Sequence, residues 1–93
     1  MYELFPDKKF TKSLDRLRAG KSWNEEKIRG ALELLATGAP LPAVFNDHQL
    51  KGDMNIYREC HIKHDLLLMY IRDEQRKIVF LLHVGTHDDL FGK

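Results

Sequence analysis

Residues 66–71, LLLMYI, constrain this chain more than any other stretch. In a strand, successive side chains point to opposite faces, so six apolar residues in a row need cover on both faces. A polar turn, RDEQR, follows directly. The run is therefore read as the central strand of a sheet, and the rest of the chain must supply its neighbours and its cover. With 93 residues the chain is expected to form one domain, spanning 1–93. A chain of that size buries about 60–65% of its unfolded surface, enough for one core and no large internal cavity.

The neighbours are legible in order. Tyr2 and Leu4 alternate with polar residues as a short first strand does, and Pro6 stops it. From Asp7 the period lengthens: Phe10, Leu14 and Leu17 share one side of a helix, Lys8, Lys12 and Arg16 the other, and Gly20 ends it. Ser22 and Glu25 have capping-box spacing for a second helix. Its apolar stripe is Ile28, Ala31, Leu32 and Leu35, and Gly38 closes it. So short a link predicts an antiparallel helical hairpin. GAPLPAVF, with two prolines, is an extended connection.

The rest reads as β structure. His48 to Lys51 is a short strand candidate. Ile56 to Ile62 alternates, with Tyr57, Glu59 and His61 on one face and Ile56, Arg58, Cys60 and Ile62 on the other. KIVFLLHV is a further strand, broken by Gly85. The fold class is α+β, in the order β-α-α-β-β-β. The hairpin packs on one face of a mostly antiparallel sheet of about four strands.

Composition excludes several classes of function. No apolar run approaches the roughly 20 residues that span a bilayer. MYELFPDKKF lacks the basic and apolar regions of a signal peptide. The single cysteine, Cys60, cannot form an internal disulfide, and a cytoplasmic protein is the simplest reading. Net charge is +1, so the chain as a whole is not a polycation. Six basic residues nevertheless fall between Lys8 and Lys21, against Asp7 and Asp15. Such a stripe is either a solvated helix face or an electrostatic footprint for nucleic acid.

All five histidines (His48, His61, His64, His83 and His87) lie in the β half. Zinc is disfavoured: the pairs straddle strand ends and turns, no second cysteine is present, and there is no helical H-E-x-x-H. Imidazoles with one carboxylate at neighbouring strand ends are also a kit for cutting RNA by proton transfer. One group takes the 2′-OH proton, another protonates the leaving 5′-oxygen, and cations stabilise the charged phosphorane. Unconnected surface histidines remain the alternative on composition alone.

Three blocks in order, LPAVFNDHQLKG, YRECHIKHDLLLMY and GTHDDLF, resemble the YafQ-like toxins, a branch of the RelE/ParE superfamily of bacterial toxin–antitoxin systems. The resemblance covers residues 40–92 by motif and the whole chain by element order. It implies a microbial-RNase-like fold and metal-independent mRNA cleavage on the ribosome, with no cofactor. It also implies neutralisation by a cognate antitoxin, and no membrane partner. It marks His48, His61, Asp65 and His87 as catalytic and Phe91 as a base-stacking residue. His87 and Asp65 are expected to move protons, and His48 and His61 to orient RNA or stabilise charge. The runner-up is a non-catalytic, ParE-like toxin directed at gyrase.

Two departures from the family pattern matter. His83 stands where an arginine is usual, replacing a permanent cation by a group mostly neutral at pH 7. His64 stands where a proline is common and is taken as a turn residue outside the site. His83 and Arg58 are expected to contact substrate, with the first-helix stripe supplying further phosphate contacts. Tyr57, Glu59 and Cys60 are taken as structural.

Overall fold

The computed structural model describes residues 1–20 and 23–91, Phe91 by its backbone. Strand β1 (Glu3–Pro6) leads into helices α1 (Lys8–Arg18) and α2 (Glu25–Thr37). The chain then turns through β2 (His48–Gln49), β3 (Arg58–Lys63), β4 (Leu66–Asp73) and β5 (Ile78–Gly85), and ends in a short helix, α3 (His87–Phe91). The five strands form one sheet in the order β1-β5-β4-β3-β2. β1 runs parallel to β5, and every other pair is antiparallel.

β4 is the middle strand, as its unbroken apolar run requires. Leu66, Leu67, Leu68, Met69 and Tyr70 are all buried. Leu66, Leu68 and Tyr70 join Cys60, Ile62, Val79, Leu81 and Val84 in the core on the helical face. Phe10 and Leu17 of α1 and Ile28, Ala31 and Leu35 of α2 complete that core. Each large aliphatic or aromatic side chain among these contributes about 1.5–3 kcal/mol by leaving water. α1 lies over β5, whereas α2 reaches β3 and β1. Burial of Cys60 pushes its thiol up to about 12, leaving a small inert core residue.

Several local expectations are corrected. The α2 cap is Asn24, whose side-chain oxygen accepts the Lys27 N–H at 3.1 Å. The expected capping residue, Ser22, and the end of the basic stripe, Lys21, lie outside the described residues. Gly38 closes α2 in the left-handed conformation, as expected. The connection after it is not wholly extended, since Ala43–Phe45 makes one tight helical turn. β3 begins at Arg58, not Ile56, because the Tyr57 N–H turns back to the Met54 carbonyl. The sheet has five strands because the two-residue β2 pairs with β3.

β5 outruns its neighbour. β1 pairs only with Ile78–Leu81, and beyond it the buried hydroxyl of Ser13 in α1 accepts the Val84 N–H at 3.1 Å. A helix side chain thus satisfies a backbone donor that has no strand beside it. Near the same place the β4–β5 register slips by one residue, opposing Met69 to His83 and Tyr70 to Leu81. This bulge leaves His83 on the face away from the helices.

Candidate active site

The face of the sheet away from the helices carries the titratable residues. Register places His48, Glu59, Met69 and His83 in one row across β2, β3, β4 and β5. His61, Leu67 and Gly85 form the next row. Four strands at about 4.8 Å spacing make the first row about 14 Å wide. Buried Leu67 and Met69 form an apolar floor between two polar groups.

The first group is built at the β2 edge. Asn46 adopts a left-handed conformation after the tight turn, as asparagine readily does, and this splits the next two side chains. Asp47 goes to the helical side, where it holds Arg58 through two hydrogen bonds, at 3.0 and 3.3 Å, and accepts the Tyr70 hydroxyl. His48 goes to the open face. Its Nδ1 lies 2.7 Å from the Asn46 carbonyl, and its Nε2 lies 3.3 Å from Glu59 Oε1. Glu59 is only 5% exposed, and its other oxygen, Oε2, is buried without a hydrogen-bond partner. A buried carboxylate with one oxygen unsatisfied is costly unless another group completes it. His61, two residues along β3, is half-buried beside this pair.

The second group is built by α3. Thr86 and Asp89 form a reciprocal cap: the Thr86 N–H donates to Asp89 Oδ2 at 3.0 Å, and the Asp89 N–H to Thr86 Oγ1 at 3.2 Å. The Thr86 N–H holds the Asp89 carboxyl below the usual carboxylate range. Any Cβ at residue 85 would lie 2.8–2.9 Å from the Asp89 side chain, so only glycine fits there. This cap starts the helix at His87. The Asp65 carboxylate, in the β3–β4 turn, accepts the His87 backbone N–H at 3.4 Å. Asp65 and His87 therefore meet although 22 residues apart.

His83 completes the row on β5. Burial pushes its imidazole below the usual range; Asp89 opposes that shift, while Arg16 and Lys9 add to it. Its Nδ1 is buried without a hydrogen-bond partner.

The sequence-expected residues thus separate. His48, His61 and His83 share the open face of the sheet, and Asp65 and His87 meet at its end. Phe91 is the last residue of α3, with its side chain outside the described part. Arg58 lies instead on the helical side, its charge reinforced by the Asp47 hydrogen bonds. His64 sits in the β3–β4 turn. Glu59 was expected to be structural, yet it is the buried partner of His48. Its alternation with His61 was the available signal. Among the described residues, no three His, Cys, Asp or Glu side chains are grouped to hold a metal ion. No helix among them is long and apolar enough to cross a membrane.

Fold and site together define a small α+β protein whose open sheet face carries a cluster of imidazoles and carboxylates. Residues 2–92 match the family described as "Bacterial toxin of type II toxin-antitoxin system, YafQ", and the chain belongs to that family. It is 37% identical over 67 residues to the mRNA interferase toxin YafQ of Escherichia coli K12, covering 71% of each chain. The crystal structure of a metal-bound toxin from Helicobacter pylori superposes with a TM-score of 0.87 at 37% identity, covering 98% of this chain and 100% of that one. The E. coli DinJ–YafQ toxin–antitoxin complex superposes with a TM-score of 0.86 at 28% identity, covering 98% of both chains. The α+β fold expected from sequence is the fold of these toxins.

Proposed function

We propose that this toxin is an mRNA endoribonuclease that cuts on the ribosome by acid–base catalysis. The observation that carries the reading is the convergence, on one open sheet face, of the His48–Glu59 pair with His61 and, at the face's end, the Asp65–His87 pair. Proton-transfer catalysis of RNA cleavage needs one group to take the 2′-OH proton, one to protonate the 5′-oxygen, and others to hold the charged phosphate. The polar groups on the two flanks of the Leu67–Met69 floor divide those tasks.

His87 and Asp65 move protons in this reading. A carbonyl only accepts, so Asn46 fixes the proton of His48 on Nδ1 and turns Nε2 toward Glu59. A ring held at both nitrogens is suited to positioning the RNA over the open face. His61 orients the RNA beside it. Phe91 stacks on a base, a contact available to any aromatic face. The permanent cation absent at residue 83 comes from α1, where Arg16 lines a small cleft with Val84, Thr86 and Asp89. The 2′-oxygen bonds to phosphorus as the P–O5′ bond breaks, leaving a 2′,3′-cyclic phosphate and a 5′-hydroxyl.

The H. pylori relative is described as metal-bound. His48, Glu59 and His61 are donor types that metals accept, but they are not assembled as a set of three here. No step above requires a metal. Like the relative found with DinJ, the toxin is neutralised by an antitoxin, and a toxin acting on translating mRNA works in the cytoplasm. The test is to express the chain with and without its antitoxin and map mRNA ends on ribosomes. New 5′-hydroxyl ends, confined to ribosome-bound message and absent with antitoxin, are expected. Intact message accompanied by DNA-damage signalling would favour the gyrase-directed alternative.

A further inference from the structure

The open face of the sheet continues past the row of His48, Glu59, Met69 and His83. Two residues further along β4, Ile71 stands opposite Phe80 of β5, and Phe80 stands opposite Phe5 of β1. These three side chains make a parallel row about 7 Å from the first, on the side away from Asp65 and His87. Leu82, the extra residue at the β4–β5 slip, fills the step between the rows. With Phe5, Ile71 and Phe80 it lines a cleft of about 820 Å³. The Phe5 and Phe80 ring centroids are 5.7 Å apart, and their planes are tilted by 51°. Phe5, on the outermost strand, is 55% exposed. A single exposed aromatic ring needs no explanation, but a contiguous apolar patch bordered by polar residues marks a binding surface. The charges around this cleft are already matched. Asp73 pairs with Arg76 at 2.8 Å, Glu74 lies 3.7 Å from Arg72, and Asp7 accepts the Lys9 N–H. A charged peptide would find no free partner among them, and what the cleft offers is aromatic surface.

We propose that Phe5 and Phe80 form a stacking platform for one base of the RNA strand, at the end of the site opposite α3. The inference rests on the nuclease reading for placing RNA on this face. Stacking needs no charge from the protein and accepts any base, because every base has a π-face. The backbone of the same strand has cations beside it, since positive charge from Lys9 and Arg16 acts on His83 at the edge of the neighbouring row. Arg76 borders the platform, its guanidinium carbon 5.7 Å from the Phe80 centroid, and a planar guanidinium also stacks on bases. A purine is favoured over a pyrimidine, because preference at such sites follows stacking strength. With Phe91 at one end and Phe5 at the other, the strand is held on both sides of the catalytic rows. Its register over the proton-transfer groups is thereby fixed.

The experiment uses the full chain and ribosomes carrying a 2′-O-methylated message, which 2′-OH attack cannot cut. 2-Aminopurine, whose fluorescence is quenched on stacking, replaces each base around the cleavage position in turn. Wild type is expected to quench one position that Phe5→Ala and Phe5→Leu leave bright. Both variants should bind the loaded ribosomes about tenfold more weakly, and Phe5→Trp should keep the quenching and the affinity. If Phe5→Ala perturbs folding, Phe5→Leu carries the test, since it keeps an apolar contact with Phe80 and removes only the ring. Quenching and affinity unchanged in folded Phe5→Leu would overturn the proposal. So would a wild-type dimer that Phe5→Ala breaks while RNA binding is unchanged, which would assign the patch to a second copy of this chain. Cleavage of unmodified message is followed in parallel. Cleavage with Phe5-independent quenching sinks the platform alone, whereas Phe5-dependent quenching without cleavage sinks the nuclease reading alone.

Discussion

Glu59 Oε1 lies 3.3 Å from His48 Nε2, while His48 Nδ1 is held 2.7 Å from the Asn46 carbonyl. The imidazole is therefore fixed at both nitrogens, and its orientation depends on a carboxylate that is almost wholly buried. Glu59→Gln keeps the shape and removes the charge. Cleavage should fall about 10²-fold, the lower end of what a positioned acid or base contributes, with an unchanged far-UV spectrum. Undiminished cleavage in the folded variant would make Glu59 a packing residue only.

His87 starts α3, and its backbone N–H is bonded to Asp65. His87→Ala should slow cleavage by about 10²–10⁴, roughly 3–5 kcal/mol of barrier. Melting should stay near wild type, because the Thr86–Asp89 cap that starts the helix is untouched. Toxicity retained by a folded His87→Ala protein would remove His87 from the chemistry.

His83 is held toward its neutral form by burial, and the sign of its effect on stability follows. Its folded pKa lies below the unfolded value, so the unfolded chain binds the proton more readily between the two. Stability therefore rises with pH through that window and is lost as pH falls below about 6.5. His83→Gln should flatten this acid-side slope in melting experiments between about pH 5 and 7. His83→Arg restores a permanent cation and should keep or raise cleavage, most visibly above about pH 7. A sharp loss of cleavage by a stable His83→Arg protein would mean that the imidazole has its own role.

The basic face of α1 is not uniform. Lys8, Lys12 and Arg16 are all exposed, but Arg16 alone among them lines the cleft next to Asp89 and Thr86. Changing all three to glutamate should weaken ribosome binding and lower its salt slope by about one unit for each phosphate no longer neutralised. The melting temperature should hold, since surface changes usually stay within about 0.5 kcal/mol. Arg16→Ala should account for most of the weakening, and His83→Arg should restore binding in that background. Binding and a salt slope equal to wild type in the triple variant would make the stripe ordinary surface.

Proton transfer through side chains needs no metal. Chelators should leave cleavage unchanged, and the purified protein should contain no stoichiometric zinc or copper. Metal lost together with activity on dialysis, and activity regained on adding it back, would replace the acid–base mechanism.

Local pattern along the chain accounts for part of this fold. The two-sided run at residues 66–71 required a covered central strand, and that strand is β4. Periodicity placed Phe10, Leu17, Ile28 and Leu35 in the core, and Gly38 stopped α2 where a left-handed residue was needed. Alternation put Glu59 and His61 on one face, and Arg58 and Cys60 on the other. The rest depends on register and on groups distant in the chain. The left-handed turn at Asn46 separates Asp47 from His48 and so commits Arg58 to the helical side. The pairing of β2 with β3 brings His48 to Glu59, and the slip between β4 and β5 sets His83 on the open face. α3 is not legible in the sequence because five residues are too few for a helical period to show; it exists because Thr86, Asp89 and the bare Gly85 close a cap together. Spacing along a chain reveals which face a side chain takes within its own strand. Which residue stands beside it on the next strand is decided by pairing and turns, and the site is made of such neighbours.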